Sequence, residues 1–140
     1  MKPILPEQLA TGLESGEQKA LMQWCALNYN KYPQLKWLYH IPNGGYRNKR
    51  EASNLKAMGV KPGVPDLHLP IKIGQWSGLY IELKKVNLKP RDGKNKKKRP
   101  TSLEQDEWLA HLQSQGYGCM VCYGWIEARD VLIQYLEWKE

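Results

Sequence analysis

Asp66 and His68 alternate with Leu67, Leu69 and Ile71, and further on Tyr80, Glu82 and Lys84 alternate with Leu79, Ile81 and Leu83. Side chains two apart in a strand share a face. Each segment therefore predicts a strand with one polar and one apolar face. GQWSG at 74–78 turns the chain between them, so the pair reads as a hairpin with a five-residue connection. Where the two polar faces coincide, two carboxylates and an ammonium meet on an otherwise apolar sheet. Such charges need partners or a metal. Two hard oxygen donors a few ångströms apart suit Mg2+ or Mn2+. A lysine beside them can orient a water or steady charge on a phosphate. Taken alone, the spacing is permissive, and an edge strand whose charges face water gives the same pattern.

The elements that would carry these residues follow from periodicity and punctuation. Ser15 and Gln18 have capping-box spacing, and a helix follows to about Tyr29 with Ala20, Leu21, Trp24 and Leu27 as its apolar stripe. Glu17 shares that stripe and so points inward, where a lone carboxylate is costly; Glu14, one turn earlier, is its rival for any role at the site. Residues 36–41 read as a strand ended by Pro42-Asn43-Gly44-Gly45. A helix is expected over 48–58 with Gly59 as its stop, then a strand from 64–66 onward and another over 79–84. Thr101 and Ser102 open a helix to about Gln115, 117–123 form a strand, and Ala128, Val131, Leu132, Tyr135 and Leu136 mark a last helix. The order α-β-α-β-β-α-β-α predicts an α/β protein with a small mixed sheet flanked by helices. Residues 1–14 read as a lead-in and 15–140 as one domain.

At 140 residues, with 41% hydrophobic and 25% charged residues, the chain has the composition of a single globular domain. No apolar run approaches the ~20 residues of a membrane span, and MKPILPEQLA has no secretion segment. Three cysteines, Cys25, Cys119 and Cys122, suit a reducing compartment. Cys119 and Cys122 lie three apart on an expected strand, hence on opposite faces, with no second pair to complete a zinc site; all three read as packing residues. The net charge of +7 is concentrated: residues 84–99 hold nine basic and one acidic residue, while the rest of the chain holds 12 basic and 13 acidic. Such a run repels itself and reads as a loop or arm over 85–100 whose natural partners are polyanions. A solvated loop or a localisation signal is the plain alternative.

Beyond Asp66 and Glu82-Leu83-Lys84, the chain carries in order His40-Ile41-Pro42-Asn43-Gly44-Gly45, Arg47, Leu55-Lys56-Ala57-Met58-Gly59, Pro62-Gly63-Val64-Pro65-Asp66 and a later Gln105. This series resembles the VRR-NUC family of virus-type replication-repair nucleases within the PD-(D/E)xK superfamily, over about residues 17–136. The resemblance implies a restriction-endonuclease-like core and Mg2+- or Mn2+-dependent hydrolysis of DNA. It implies that Asp66, Glu82, the Leu83 carbonyl and Glu17 bind metal. Lys84 would position the attacking water, and Gln105 would join the catalytic set. Asn43, in the turn near the site, and Arg47 would contact DNA; apart from the resemblance, the charge of the 85–100 loop adds Lys85, Lys89, Arg91, Lys94, Lys96, Lys97, Lys98 and Arg99 as phosphate contacts. The resemblance further implies a homodimer acting on branched DNA such as four-way junctions, in the cytoplasm of a prokaryotic or phage-infected cell.

Plainer roles stand beside these. Gln105 follows Ser102 at capping-box spacing. Asn43 can serve the turn alone, His40 and His68 can be core or rim histidines, and Trp76 can pack rather than stack on a base. Many family members link Glu-x-Lys to the glutamine helix through a short segment, whereas here sixteen residues, 85–100, intervene. Two other functions remain open: a non-catalytic nucleic-acid-binding protein on a nuclease fold, and a nuclease of flaps, single strands or RNA.

Overall fold

The computed structural model describes residues 4–10, 13–42, 48–90 and 101–139. Asn43, Arg47, Arg91, Lys94, Lys96, Lys97, Lys98 and Arg99 lie outside the described residues. The helices are α1 (Pro6–Leu9), α2 (Glu14–Leu27), α3 (Lys49–Ala57), α4 (Leu103–Ser114) and α5 (Trp125–Leu136). The strands are β1 (Tyr39–His40), β2 (Leu67–Leu69), β3 (Leu79–Lys84) and β4 (Gly118–Tyr123). From α2 onward, the order is the one expected.

The strands form one mixed sheet in the order β1-β2-β3-β4. β1, β2 and β3 are antiparallel in turn, whereas β3 and β4 are parallel, as a crossover through α4 requires. The apolar face carries Leu67, Leu69, Leu79, Ile81 and Leu83, all buried against Ala20, Leu21 and Cys25 of α2 and Ala128, Leu132 and Tyr135 of α5. α4 serves the opposite, polar face, where Gln105 reaches Glu82 and Lys84. The period-two alternation thus sets both faces of β3, as the sequence predicts.

Three local expectations need correction. Leu13, not Ser15, is the N-cap of α2, with no side-chain cap, so the helix starts earlier and its buried stripe is Glu17, Ala20, Leu21 and Cys25 rather than one through Leu27, which is exposed. The expected strand at 36–41 shrinks to two residues because Pro33–Trp37 winds as a 3-10 turn. The hairpin connection is longer than five residues, since β2 ends at Leu69 and 70–78 intervene, with a small bridge between Ile73 and Trp76. Within the lead-in, Pro6 is buried, and Leu9 and Ala10 pack against the core.

The three thiols are free, with Cys25 and Cys122 buried and Cys119 half-buried. Burial pushes Cys25 and Cys122 up to about 12 and Cys119 to about 11, far from a reactive thiolate.

Candidate metal centre

β3 enters the site from the sheet interior. Glu82 is only 2% exposed and points to the polar face between Tyr80 and Lys84. Asp66 sits one residue before β2, and extending the β2–β3 register by one step sets it opposite Glu82. There its Oδ2 accepts a hydrogen bond from the Leu83 N–H at 2.8 Å, a donor that lies beyond the end of β2. The 62–66 turn holds this geometry through buried Pro65 and through Gly63. Gly63 has φ +89°, and a Cβ there would come within 2.6 Å of the Glu104 backbone. This close approach brings the start of α4 against the aspartate turn.

α4 starts at Ser102, whose hydroxyl accepts from the Gln105 N–H at 3.1 Å, while Gln105 Oε1 accepts from the Ser102 N–H at 2.9 Å. Gln105 also serves the site. Its Oε1 accepts from Lys84 Nζ at 3.1 Å, and its Nε2 donates to Glu82 Oε1 at 3.0 Å. Capping and site contact, two alternative readings of its sequence position, are both present. Lys84 Nζ lies 3.5 Å from Glu82 Oε1 and is largely buried.

The third carboxylate comes from α2, and it is Glu14. One oxygen each from Glu14, Asp66 and Glu82 lie within 4.8 Å of one another. Glu17 is inward and 5% exposed, as its stripe position predicts, but its Oε2 accepts from the Trp125 N–H at the start of α5, at 3.1 Å. A carboxylate at a helix N-terminus is well partnered, so Glu17 ties α2 to α5 while Glu14 faces Asp66 and Glu82. Gly124, with φ +89°, lets Val86 approach where a Cβ would sit 2.5 Å away. No local pattern marks Glu14 over Glu17, because the N-cap Leu13 carries no capping side chain.

Electrostatics fit a cation. Burial raises the Glu82 carboxyl well above the ordinary range, and the Asp66 charge and a hydrogen bond shared with Asp66 push the same way, against Lys84. Burial raises Asp66 too, opposed by the Leu83 N–H, Glu82 and Lys84. Glu14 is raised by burial and by Asp66, opposed by Lys84 and Lys85. Three oxygen donors that repel one another's charge are the donor set a hard divalent ion relieves.

The remaining expected residues are placed as follows. His40 Nδ1 lies 2.9 Å from the Asp66 carbonyl oxygen, on the rim. Lys85 is half-buried, and Lys89 is ion-paired with Glu127 of α5. Trp76 packs against Tyr135 and Trp138.

The VRR-NUC domain model matches residues 14–125. A solved VRR_NUC domain protein superposes with a TM-score of 0.67 at 30% sequence identity, covering 89% of this chain and 88% of that one. No curated protein matches the chain. With more than half its length matched and the same fold in a relative of that identity, this chain belongs to the VRR-NUC domain family and carries a nuclease-type fold.

Proposed function

We propose that the chain is a metal-dependent endonuclease of PD-(D/E)xK type that hydrolyses phosphodiester bonds in DNA, with branched DNA such as four-way junctions as its preferred substrate. The observation that carries the reading is the convergence of Glu14, Asp66 and Glu82 within 4.8 Å, beside Lys84 and Gln105, in a VRR-NUC domain.

Mg2+ or Mn2+ fits this oxygen set. When bound, such an ion lowers the pKa of a water and offsets charge on the reacting phosphate. Asp66 and Glu82 would hold it, joined by the Leu83 carbonyl and by Glu14 rather than Glu17. The protein's own part is positioning. Lys84 keeps its ammonium at the carboxylates through Gln105 Oε1 and Glu82 Oε1, where it can orient the attacking water or steady phosphate charge. Gln105 fixes Lys84 and Glu82 at once. A nuclease domain implies nucleic-acid binding, and the basic residues of 91–99, with Asn43, Arg47, Lys85 and Lys89, would supply backbone phosphate contacts.

The reading includes a homodimer in a cytoplasmic setting, prokaryotic or phage-infected. Free thiols fit a reducing compartment, and among the described residues no helix is long and apolar enough to cross a membrane. Pairing with a second copy would use β4, which among the described residues is an edge strand without a charged residue, with Met120 on it and Trp138 at 45% and 46% exposure.

The test is cleavage of labelled four-way junction, flap, single strand, linear duplex and RNA with Mg2+, Mn2+ or EDTA. The reading expects metal-dependent cutting, fastest on the junction, and loss of cutting with retained binding in Asp66→Ala. Binding without cutting on every substrate would establish the non-catalytic alternative. Fastest cutting of flaps, single strands or RNA would keep the enzyme and replace the substrate.

A further inference from the structure

The polar face of the sheet holds a second row beside the carboxylates. Tyr39 pairs with His68, and His68 pairs with Tyr80, so three rings from three strands stand side by side. Two of the strands link this row to the site: His68 is two residues after Asp66, and Tyr80 two before Glu82. Tyr39, opposite His68, is the diagonal neighbour of Asp66, about 7–8 Å away across the sheet, close to the step between successive phosphates along a nucleic-acid strand.

The row is braced from within. His68 stacks on Tyr80 with centroids 4.1 Å apart and planes 3° from parallel. Tyr117 stands edge-on to both. Tyr39 meets His68 at 70°, and its hydroxyl lies 2.8 Å from His68 Nδ1. His68 Nε2 is buried, without a hydrogen-bond partner among the described residues, against Gly78, where a Cβ would sit 3.2 Å away. The imidazole therefore contributes a flat face and one hydrogen bond. Tyr39 ends the row and is 47% exposed: a ring fixed by its neighbours yet open to a ligand.

We infer that Tyr39 is a base-stacking residue that receives an unpaired nucleobase one nucleotide from the phosphate at Asp66 and Glu82, with His68 as the positioning residue that fixes its ring. The inference rests on the nuclease reading and deepens it. A base in a paired duplex would have to leave its stack to reach Tyr39, which costs energy, whereas a base at a branch or in a splayed arm is already free. Preference for branched substrates then has a named residue.

The experiment places 2-aminopurine at successive nucleotides of the unpaired arm of a splayed duplex and follows its fluorescence and the anisotropy of the complex. Ca2+ replaces Mg2+ so that cutting does not intrude. Stacking on Tyr39 predicts quenching at one arm position by the wild type and its loss in Tyr39→Leu. Affinity for the splayed substrate should fall about 5- to 150-fold, the equivalent of one base–aromatic stack, while affinity for fully paired duplex changes little. Tyr39→Trp should restore the quench, which separates stacking from a folding defect. His68→Phe keeps a ring on Tyr80 but loses the bond to Tyr39, and should weaken the quench without shifting its position. Wild-type quench and affinity in Tyr39→Leu would overturn the inference, as would no quench at any arm position. A parallel cleavage assay in Mg2+ separates the two claims. Cutting with a Tyr39-independent quench removes only the stacking role, and a Tyr39-dependent quench without cutting removes only the nuclease reading.

Discussion

Glu82 lies among Asp66, Glu14, Lys84 and Gln105 with almost no solvent contact. Burial and the Asp66 charge raise its carboxyl above the ordinary 4.5, so the folded protein keeps a proton that the unfolded chain releases. Stability of the metal-free protein should therefore fall as pH rises from about 4.5 through the raised value, with the full cost present above it. Glu82→Gln removes that cost. Thermal melts should show the metal-free variant unfolding about 3–6 °C higher than wild type at pH 8, with a flatter pH profile. Mg2+ should raise the melting temperature of wild type but not of the variant. A variant no more stable than wild type at pH 8 would contradict the proposed strain. Lys84→Ala tests the positioning role, with kcat expected to drop about 100- to 1,000-fold and DNA affinity to change far less.

At the scale of elements, α4 links stability to the site. Ser102→Ala removes the hydroxyl that caps the helix and should cost about 1 kcal/mol in a urea melt. Gly63→Ala acts from outside the helix. A Cβ on a positive-φ residue within 2.6 Å of the Glu104 backbone must push the start of α4 away, and Gln105 with it. Cleavage should slow more than binding weakens, and an unchanged rate would show that α4 does not set the site. These elements also show what the sequence could convey. Alternation in 79–84 places Glu82 and Lys84 on one face because strand geometry is local, and Asn48 and Ser102 mark helix starts because caps are local too. The start of α2 misleads because its N-cap, Leu13, offers no capping side chain. The choice between Glu14 and Glu17 depends on a contact across 108 residues, to the Trp125 N–H, which no local pattern encodes. The 36–41 segment has strand-like composition, but the preceding Pro33–Trp37 turn takes up its first two residues. The Tyr39–His68–Tyr80 row is visible only once the register is known.

For the whole molecule, charge and site divide the work. Of the basic run, Lys84 belongs to the candidate centre and Lys89 pairs with Glu127. The further basic residues of 91–99 belong to a chain that is otherwise near neutral. Replacing Lys94, Lys96, Lys97 and Lys98 by Ala should weaken binding alike on all sequences and reduce the salt slope by about 3–4. An unchanged slope would remove these lysines from the DNA contact. On the proposed function, binding and cutting are separable, and the carboxylates decide the second. The most direct measurement is single-turnover cleavage of a labelled four-way junction by wild type and Glu82→Ala, in Mg2+ and in EDTA, with binding followed in parallel. The account predicts cutting only by wild type and only with Mg2+, and binding by both proteins. Metal-dependent cutting by Glu82→Ala at the wild-type rate would contradict it.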